Sequence, residues 1–170
     1  MGSEELFGPL PGSLPNEKGL SMKTKQFAAL PFRIDEAELS ILLITTRRKR
    51  RWSVPKGSPM LQKRPHRVAA IEAYEEAGLH GKIGHQALGR FKLSKRKGKR
   101  RILCEVKLFP LEVTKQHARW PERGQRKLIW LPASEAARRV HRSKLRRLIE
   151  SFASQHADRG PAQPPAGGLR

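Results

Sequence analysis

The sequence predicts one domain of α/β or α+β architecture, in which helices pack against a mixed sheet. Two apolar, partly β-branched stretches, 26–34 and 39–46, have the composition of strands. A segment rich in Ala and Glu, 65–77, carries Pro in its first turn and is followed by Gly78, which is typical of a helix. An amphipathic segment, 144–155, indicates a further helix. A chain of 170 residues is long enough for a single such domain.

Four further elements follow from the same patterns. The segments 87–95 and 101–113 flank a basic, Gly-containing turn and predict a long hairpin. In its second arm Cys104 belongs to the apolar row of a strand, so we expect a buried structural thiol rather than a nucleophile. A short strand over 126–131 and a helix over 133–140 come next.

The last helix is expected to dock on the sheet. Its apolar residues are spaced i, i+3, i+4 and i+7, and Ser143 is the expected N-cap. These apolar residues are Leu145, Leu148, Ile149 and Phe152. The segments 1–20 and 157–170 carry too little apolar surface to offset their ordering entropy. We therefore expect a folded domain over 21–156 between two flexible tails.

The charge of the chain indicates a polyanionic partner. There are 36 Lys and Arg against 15 Asp and Glu, a net charge of +21. Two basic runs, 47–51 and 95–101, concentrate that charge between strand-like segments. Nucleic acid, a polyphosphorylated small molecule and an anionic membrane surface would all supply counter-charge. No apolar run approaches the roughly 18 residues of a membrane-spanning helix, so we expect no membrane insertion. We also expect no secretion signal and a cytoplasmic location, with the nucleus as the alternative.

Three glutamates on the helix over 65–77 form the candidate chemical site. At 100° per residue Glu72, Glu75 and Glu76 lie within an arc of about 100°. Carboxylates this close repel one another, and a hard divalent cation such as Mg²⁺ relieves that repulsion. An acidic cluster in an otherwise basic protein predicts a metal site that faces bound phosphates, although a solvated acidic helix face has the same spacing.

The stretch that runs from Trp52 to Ile83 resembles the signature of the Nudix hydrolases, GX5EX7REUXEEXGU, where U is aliphatic. Counted from Gly57, the firm matches are Gly57, Glu72, Glu75, Glu76, Gly78 and Leu79. Two positions depart from the signature: Lys63 replaces the first Glu and Ile71 replaces the Arg. The sequences WSVPKG at 52–57 and RKLIW at 126–130 are similar to the diphosphoinositol-polyphosphate phosphohydrolase-like branch.

The resemblance implies an α/β/α sandwich with a mixed central sheet and a hydrolase that depends on Mg²⁺, with Mn²⁺ as the alternative ion. By position, Glu72, Glu76 and Glu75 are catalytic and, with Gly57, belong to the metal site. Glu75 is either a further ligand or the residue that orients the attacking water. Glu122 is a candidate distal acid. Candidate substrate-binding residues are Lys25, Arg47, Arg51 and Lys56.

The departures leave three functions open. The first is hydrolysis of phosphoanhydrides in diphosphoinositol polyphosphates or dinucleoside polyphosphates, which the dense positive charge favours. The second is pyrophosphate removal from RNA 5′ ends, which is less favoured because no RNA module is visible. The third is a catalytically weak, polyanion-binding protein. The Arg missing at residue 71 would normally orient a glutamate, so Arg67 or another basic residue is expected to substitute for it. The sequence does not indicate the oligomeric state.

Overall fold

The computed structural model describes residues 23–98 and 100–158. The expected tail over 1–20, and all but two residues of the one over 157–170, lie outside the described residues. Of the second basic run, the side chains of residues 95–97, 99 and 100 also lie outside them. In the described part, eight strands form one sheet: β1 (Lys23–Asp35), β2 (Glu38–Thr45), β3 (Trp52–Ser53), β4 (Lys56–Gly57), β5 (Leu79–Ile83), β6 (Gly89–Lys97), β7 (Arg100–Gln116) and β8 (Leu128–Pro132). The helices are α1 (Pro65–Ala77), α2 (Ala133–Arg139) and α3 (Ser143–Ala157).

The sheet is mixed, as the sequence predicts. Strands β1 and β7 pair in parallel at its centre, and the other pairs are antiparallel. The order along the main path is β3-β2-β1-β7-β5, with β4 beside β1, β6 beside β7 and β8 beside β2. The β1–β2 hairpin turns through Glu36 and Ala37, both at positive φ, which is the two-residue geometry that matches the twist of the strands.

Helices cover both faces of the sheet. Alternate residues of β1 face opposite sides, so Ala28 and Leu30 pack against α2 and α3 whereas Ala29 packs against α1. Within the described chain the fold is therefore an α/β/α sandwich, and the predicted fold class is confirmed. Cys104 is a buried free thiol, as expected. No helix in the described ranges is long and apolar enough to cross a membrane.

One local expectation was wrong, and one strand was not predicted. Ser143 is the first residue of α3 and not its N-cap, which is Arg142 and makes no side-chain capping hydrogen bond. Strand β5 was not expected, because its five residues include Gly81 at an irregularity in the pairing with β7. The docking face of α3 is confirmed, since Leu145, Ile149 and Phe152 are all buried.

Candidate active site

Helix α1 carries the three glutamates and packs against β1, β4 and β5. Pro65 begins the helix, and Gly78 ends it in the left-handed conformation at φ 70°, where its N–H donates to the carbonyls of Ala73 and Tyr74. The site also needs Gly78 for space, because an added Cβ would lie 2.7 Å from Cε3 of Trp120. Trp120 therefore packs on the C-terminus of α1, and the segment that follows it lies next to the glutamates.

Gly57 of β4 lies directly against the Glu72 carboxylate. A Cβ added at residue 57 would lie 1.7 Å from Oε1 of Glu72, which no real contact allows. The backbone of β4 and the carboxylate consequently occupy adjoining space. The next residue back, Lys56, donates its backbone N–H to Oε2 of Glu76 over 3.1 Å. The segment in which the signature begins therefore contacts two of the three glutamates, Glu72 and Glu76.

Glu76 is the buried member of the three, and its other oxygen is bound by an arginine. Nη2 of Arg126 contacts Oε1 of Glu76, and both side chains are 7% exposed. Nη1 of Arg126 donates to the carbonyl of Thr45 over 3.1 Å. Burial raises the pKa of Glu76, and the Arg126 guanidinium and the Lys56 N–H oppose that rise by stabilising the charged form.

Glu122 extends this ion pair into a chain of four charges. Its Oε2 accepts from Nε of Arg126 over 3.1 Å, and its Oε1 accepts from Nη2 of Arg47 over 2.9 Å. Its backbone N–H donates to the carbonyl of Glu75 over 3.0 Å. The order Arg47–Glu122–Arg126–Glu76 therefore joins the first basic run to the buried end of the carboxylate cluster.

Burial and the neighbouring carboxylates both raise the pKa of Glu72. Burial is the largest cause that raises the pKa of Glu72, and the charges of Glu76, Glu75 and Glu122 add to it. The result is a pKa of about 7, so part of the Glu72 population is protonated at neutral pH when no cation is bound. A carboxyl in this state gains from a nearby cation, because the cation favours its charged form.

A cavity of about 490 Å³ opens beside Arg126. Its lining includes three cationic side chains, Arg50, Arg126 and Lys127, together with Trp52 and Thr45. Arg50 donates to the carbonyl of Gln125 over 3.0 Å, which links the basic run over 47–51 to the segment before β8. A cavity with this lining suits an anion, since each cation offers charge-assisted hydrogen bonds to phosphate oxygens.

The structure brings together most of the residues that the sequence singled out. Arg47 reaches Glu122, and the Nζ of Lys56 donates to Ser53 and to the carbonyl of Val54. Lys25 and Arg51 are exposed, and neither lines this cavity. Their assignment as substrate-binding residues stays a prediction.

Sequence reasoning missed Arg126 as a partner of Glu76 and Lys127 as a lining residue, whereas Arg50 belongs to the basic run over 47–51 that the sequence singled out. The basic residue expected to compensate for Ile71 is found here as Arg126. In the described part of the chain Arg67 is exposed and has no ion-pair partner. Lys63, the other departure, is also exposed, and its backbone N–H donates to the carbonyl of Met60. The only sequence signal for Arg126 was its place as the first residue of the RKLIW stretch at 126–130.

The donor chemistry of the cluster fits a divalent cation. Carboxylate oxygens are the ligands that Mg²⁺ prefers, and it usually takes one or two of them together with water and phosphate. Glu72 offers a carboxyl whose raised pKa a cation would lower, whereas both oxygens of Glu76 are engaged by Arg126 and Lys56. In the arrangement that the structure shows, the described residues contain no group of three or more His, Cys, Asp or Glu side chains that could hold a metal ion.

Comparisons with known proteins decide the family. No protein-family model matches the sequence. Nudix hydrolase 17, mitochondrial, from Arabidopsis thaliana is 36% identical over 100 residues, which cover 58% of this chain and 53% of the relative. Diphosphoinositol polyphosphate phosphohydrolase 3-alpha from Mus musculus is 32% identical over 114 residues, which cover 66% of each chain. The chain belongs to the Nudix hydrolase family. It spans little more than half the length of the first of these curated relatives.

Solved structures agree on the Nudix fold. A C. elegans Ap4A hydrolase complex superposes with a TM-score of 0.60 at 16% identity, over 79% of this chain and 98% of that one. The Nudix domain of Shewanella oneidensis NrtR, solved with ADP ribose, superposes with a TM-score of 0.58 at 13% identity, over 84% and 93%. The resemblance that the sequence indicated is thus confirmed for the family and for the fold.

Proposed function

We propose that this Nudix protein is a Mg²⁺-dependent pyrophosphohydrolase that cleaves phosphoanhydride bonds in highly phosphorylated small molecules. One observation carries the proposal: the carboxylate cluster of α1 adjoins a cavity lined by Arg50, Arg126 and Lys127. Cations there would bind the phosphates of a substrate, and the carboxylates beside them would hold the metal. The relatives support the substrate class, since their names include a diphosphoinositol polyphosphate phosphohydrolase and an Ap4A hydrolase.

Within this proposal, Glu72 and Glu76 would hold Mg²⁺ together with Gly57, and Mn²⁺ is the alternative ion. Of the two roles open to Glu75, we assign it to the attacking water rather than to the metal. The metal supplies charge neutralisation at phosphate and a lowered pKa for bound water. Glu75 orients the attacking water and takes its proton as the water oxygen bonds to phosphorus. The bridging P–O bond breaks, and its electron pair leaves with the departing phosphate group. Glu122 fixes the backbone of Glu75 through the 3.0 Å hydrogen bond to its carbonyl.

The surrounding cations give the chain its preference for dense polyanions. Arg47 is held by Glu122 at the mouth of the cluster, and Lys56, Arg51 and Lys25 are the further substrate contacts that we propose. A linear or ring-bound chain of phosphates presents several charges at once to such a set. A compound with one pyrophosphate, such as a sugar nucleotide, would engage fewer of these cations and is expected to be a poorer substrate.

The test is Mg²⁺-dependent turnover of four compounds at fixed salt: a diphosphoinositol polyphosphate, diadenosine hexaphosphate, 5′-triphosphate RNA and a sugar nucleotide. The proposal expects turnover of the first two and its loss in Glu76→Gln. Glu150→Gln is the matched control, because Glu150 is an exposed carboxylate on α3, across the sheet from α1. Preferred turnover of the RNA would favour the RNA 5′-end function. Tight binding of all four without turnover would indicate a polyanion-binding protein.

We also propose a cytoplasmic location for this activity. The curated relatives include proteins named as mitochondrial and as chloroplastic, so a location cannot be carried over from them. The nucleus is the alternative to the proposed cytoplasmic location, because the basic run over 47–51 has the composition of a nuclear import signal. Imaging of a C-terminal fluorescent fusion of the full chain tests the proposed location, and organelle signal would contradict it.

A further inference from the structure

Arg126 is shared between the carboxylate cluster and the cationic cavity. On one side its guanidinium contacts Glu76 and lies 3.1 Å from Oε2 of Glu122. On the other side it forms part of the lining of the 490 Å³ cavity, next to Arg50 and Lys127. Among the described residues, Arg126 is the one basic residue whose side chain both contacts Glu76 and lines this cavity. A change of partner by Arg126 would therefore affect both places.

The contact with Glu76 obstructs any dication at that carboxylate. Oε1 is taken by the guanidinium and Oε2 accepts the Lys56 N–H, so both oxygens are engaged. The side chains are almost fully buried, where water screens the repulsion between a guanidinium and a metal ion only weakly. Glu76 therefore becomes a strong metal ligand once Arg126 has moved away from it.

The guanidinium of Arg126 can rotate into the cavity when an anion is bound there. The space is large enough for a rotated side chain, and Arg126 already borders it. Arg50 and Lys127 make an empty cavity unfavourable for a third free cation. A phosphate there reverses the sign of the interaction and offers the planar guanidinium two oxygens at once.

We propose that Arg126 exchanges partners, serving as the counter-ion of Glu76 until a phosphate group enters the cavity and then leaving Glu76 to the metal. Phosphate and divalent cation would thereby bind cooperatively, and each would raise the affinity for the other by the same factor. This inference rests on the proposed function, because it takes Glu76 as a metal ligand. It adds that metal loading is weak until the anion site is filled, so that the free protein resists loading with cation alone.

The experiment measures Mg²⁺ affinity from thermal unfolding of the full chain, with and without inorganic phosphate at constant ionic strength. Free Mg²⁺ is corrected for the soluble magnesium phosphate complex. For the unaltered protein we expect phosphate to tighten Mg²⁺ binding by about tenfold, within the usual range of coupling between sites. In Arg126→Met the coupling should fall to within about twofold, and Mg²⁺ alone should bind more tightly than to the unaltered protein. Arg126→Gln, which keeps a hydrogen-bond donor without the charge, should behave in the same way and covers the case in which the Met variant does not fold.

Arg139→Met is the matched control, because Arg139 pairs with Glu135 on α2 and, among the described residues, neither contacts Glu76 nor lines the cavity. It should keep the phosphate coupling. If the Arg126 variants bind Mg²⁺ more weakly, or keep the coupling, Arg126 is a fixed support and the exchange is wrong. Glu76→Gln distinguishes failure of the Arg126 exchange from failure of the proposed function. If that variant keeps the whole Mg²⁺ response, Glu76 is not a ligand and the metal site of the proposed function fails, whatever the Arg126 variants do.

Discussion

Arg126 and Glu76, which are 50 residues apart in the chain, form an ion pair in which each side chain is 7% exposed. Glu76 lies on α1, and Arg126 lies in the segment just before β8. The pair ties this segment to the helix that carries the other glutamates. It also provides the buried carboxylate with a cation although the signature arginine is replaced by Ile71.

Removal of this guanidinium should destabilise the metal-free protein. Arg126→Met leaves Glu76 buried without its counter-ion, and the loss of one partner of a buried pair costs about 3–5 kcal/mol. The measurement is urea unfolding in the presence of EDTA. The control is Arg139→Met, which breaks an exposed pair with Glu135 on α2 and should cost no more than about 0.5 kcal/mol. Equal effects of the two variants would contradict the role given to the buried pair.

Substitution of Gly57 should disable the site with little effect on the fold. In Gly57→Ala the added methyl would lie where Oε1 of Glu72 now lies, so the carboxylate must move. A displacement of about 1 Å at a catalytic group can cost about 100-fold in rate, and we expect a loss of that order in kcat. The check is steady-state kinetics together with the circular dichroism spectrum.

The control for Gly57 is Gly98→Asn at the tip of the β6–β7 hairpin. There φ is +61°, a conformation that Asn tolerates, and apart from the two chain neighbours no atom of the described residues lies within 4 Å of an added Cβ. This variant should keep full activity. A fully active Gly57→Ala protein would show that the position of Glu72 is not needed.

The helix and the site differ in how far the sequence could predict them. The bounds of α1 were predicted correctly because Pro65 and Gly78 are local signals that act on the backbone beside them. The three glutamates followed from helical spacing and the family signature. Arg126 did not, because its contacts with Glu76 and with Thr45 depend on how β2, α1 and the segment before β8 pack together. Strand β5 was not predicted for a similar reason, because it is defined by its pairing with β7 and not by its own composition.

The contribution of Glu72 to the stability of the metal-free protein should fall as the pH rises from about 4.5 to about 7. Glu72 has a pKa of about 7 in the folded protein and an ordinary value of 4.5 when unfolded. Below 4.5 both states are protonated and Glu72 has no effect on stability. Between the two values the unfolded chain releases the proton first, so folding becomes less favourable as the pH rises. Glu76, whose pKa is also raised, acts in the same direction.

The measurement is the midpoint of thermal unfolding in EDTA across pH 4.5–7.5, as the difference between the unaltered protein and Glu72→Gln. The difference is needed because burial lowers the pKa of His66, which acts in the opposite direction by favouring folding as the pH rises. The variant should gain relative to the unaltered protein as the pH increases. Added Mg²⁺ should stabilise the unaltered protein most at the upper end. A constant difference across this range would show that Glu72 ionises normally.

The cationic cavity should affect substrate binding more than the chemical step. Lys127 lines the cavity, and its backbone N–H donates to the Thr45 hydroxyl over 3.0 Å, a contact that does not involve its side chain. Lys127→Met should therefore leave the backbone in place and remove one charge from the phosphate site. A charge-assisted hydrogen bond contributes about 1.5–3 kcal/mol, so KM should rise at least about tenfold. Because this contact is made equally to substrate and transition state, kcat should change little. Steady-state kinetics with a diphosphoinositol polyphosphate measures both constants, and Lys115→Met on the exposed surface of β7 is the charge-matched control. If kcat fell and KM did not change, Lys127 would act on the reacting phosphate and the cavity would be part of the catalytic centre itself.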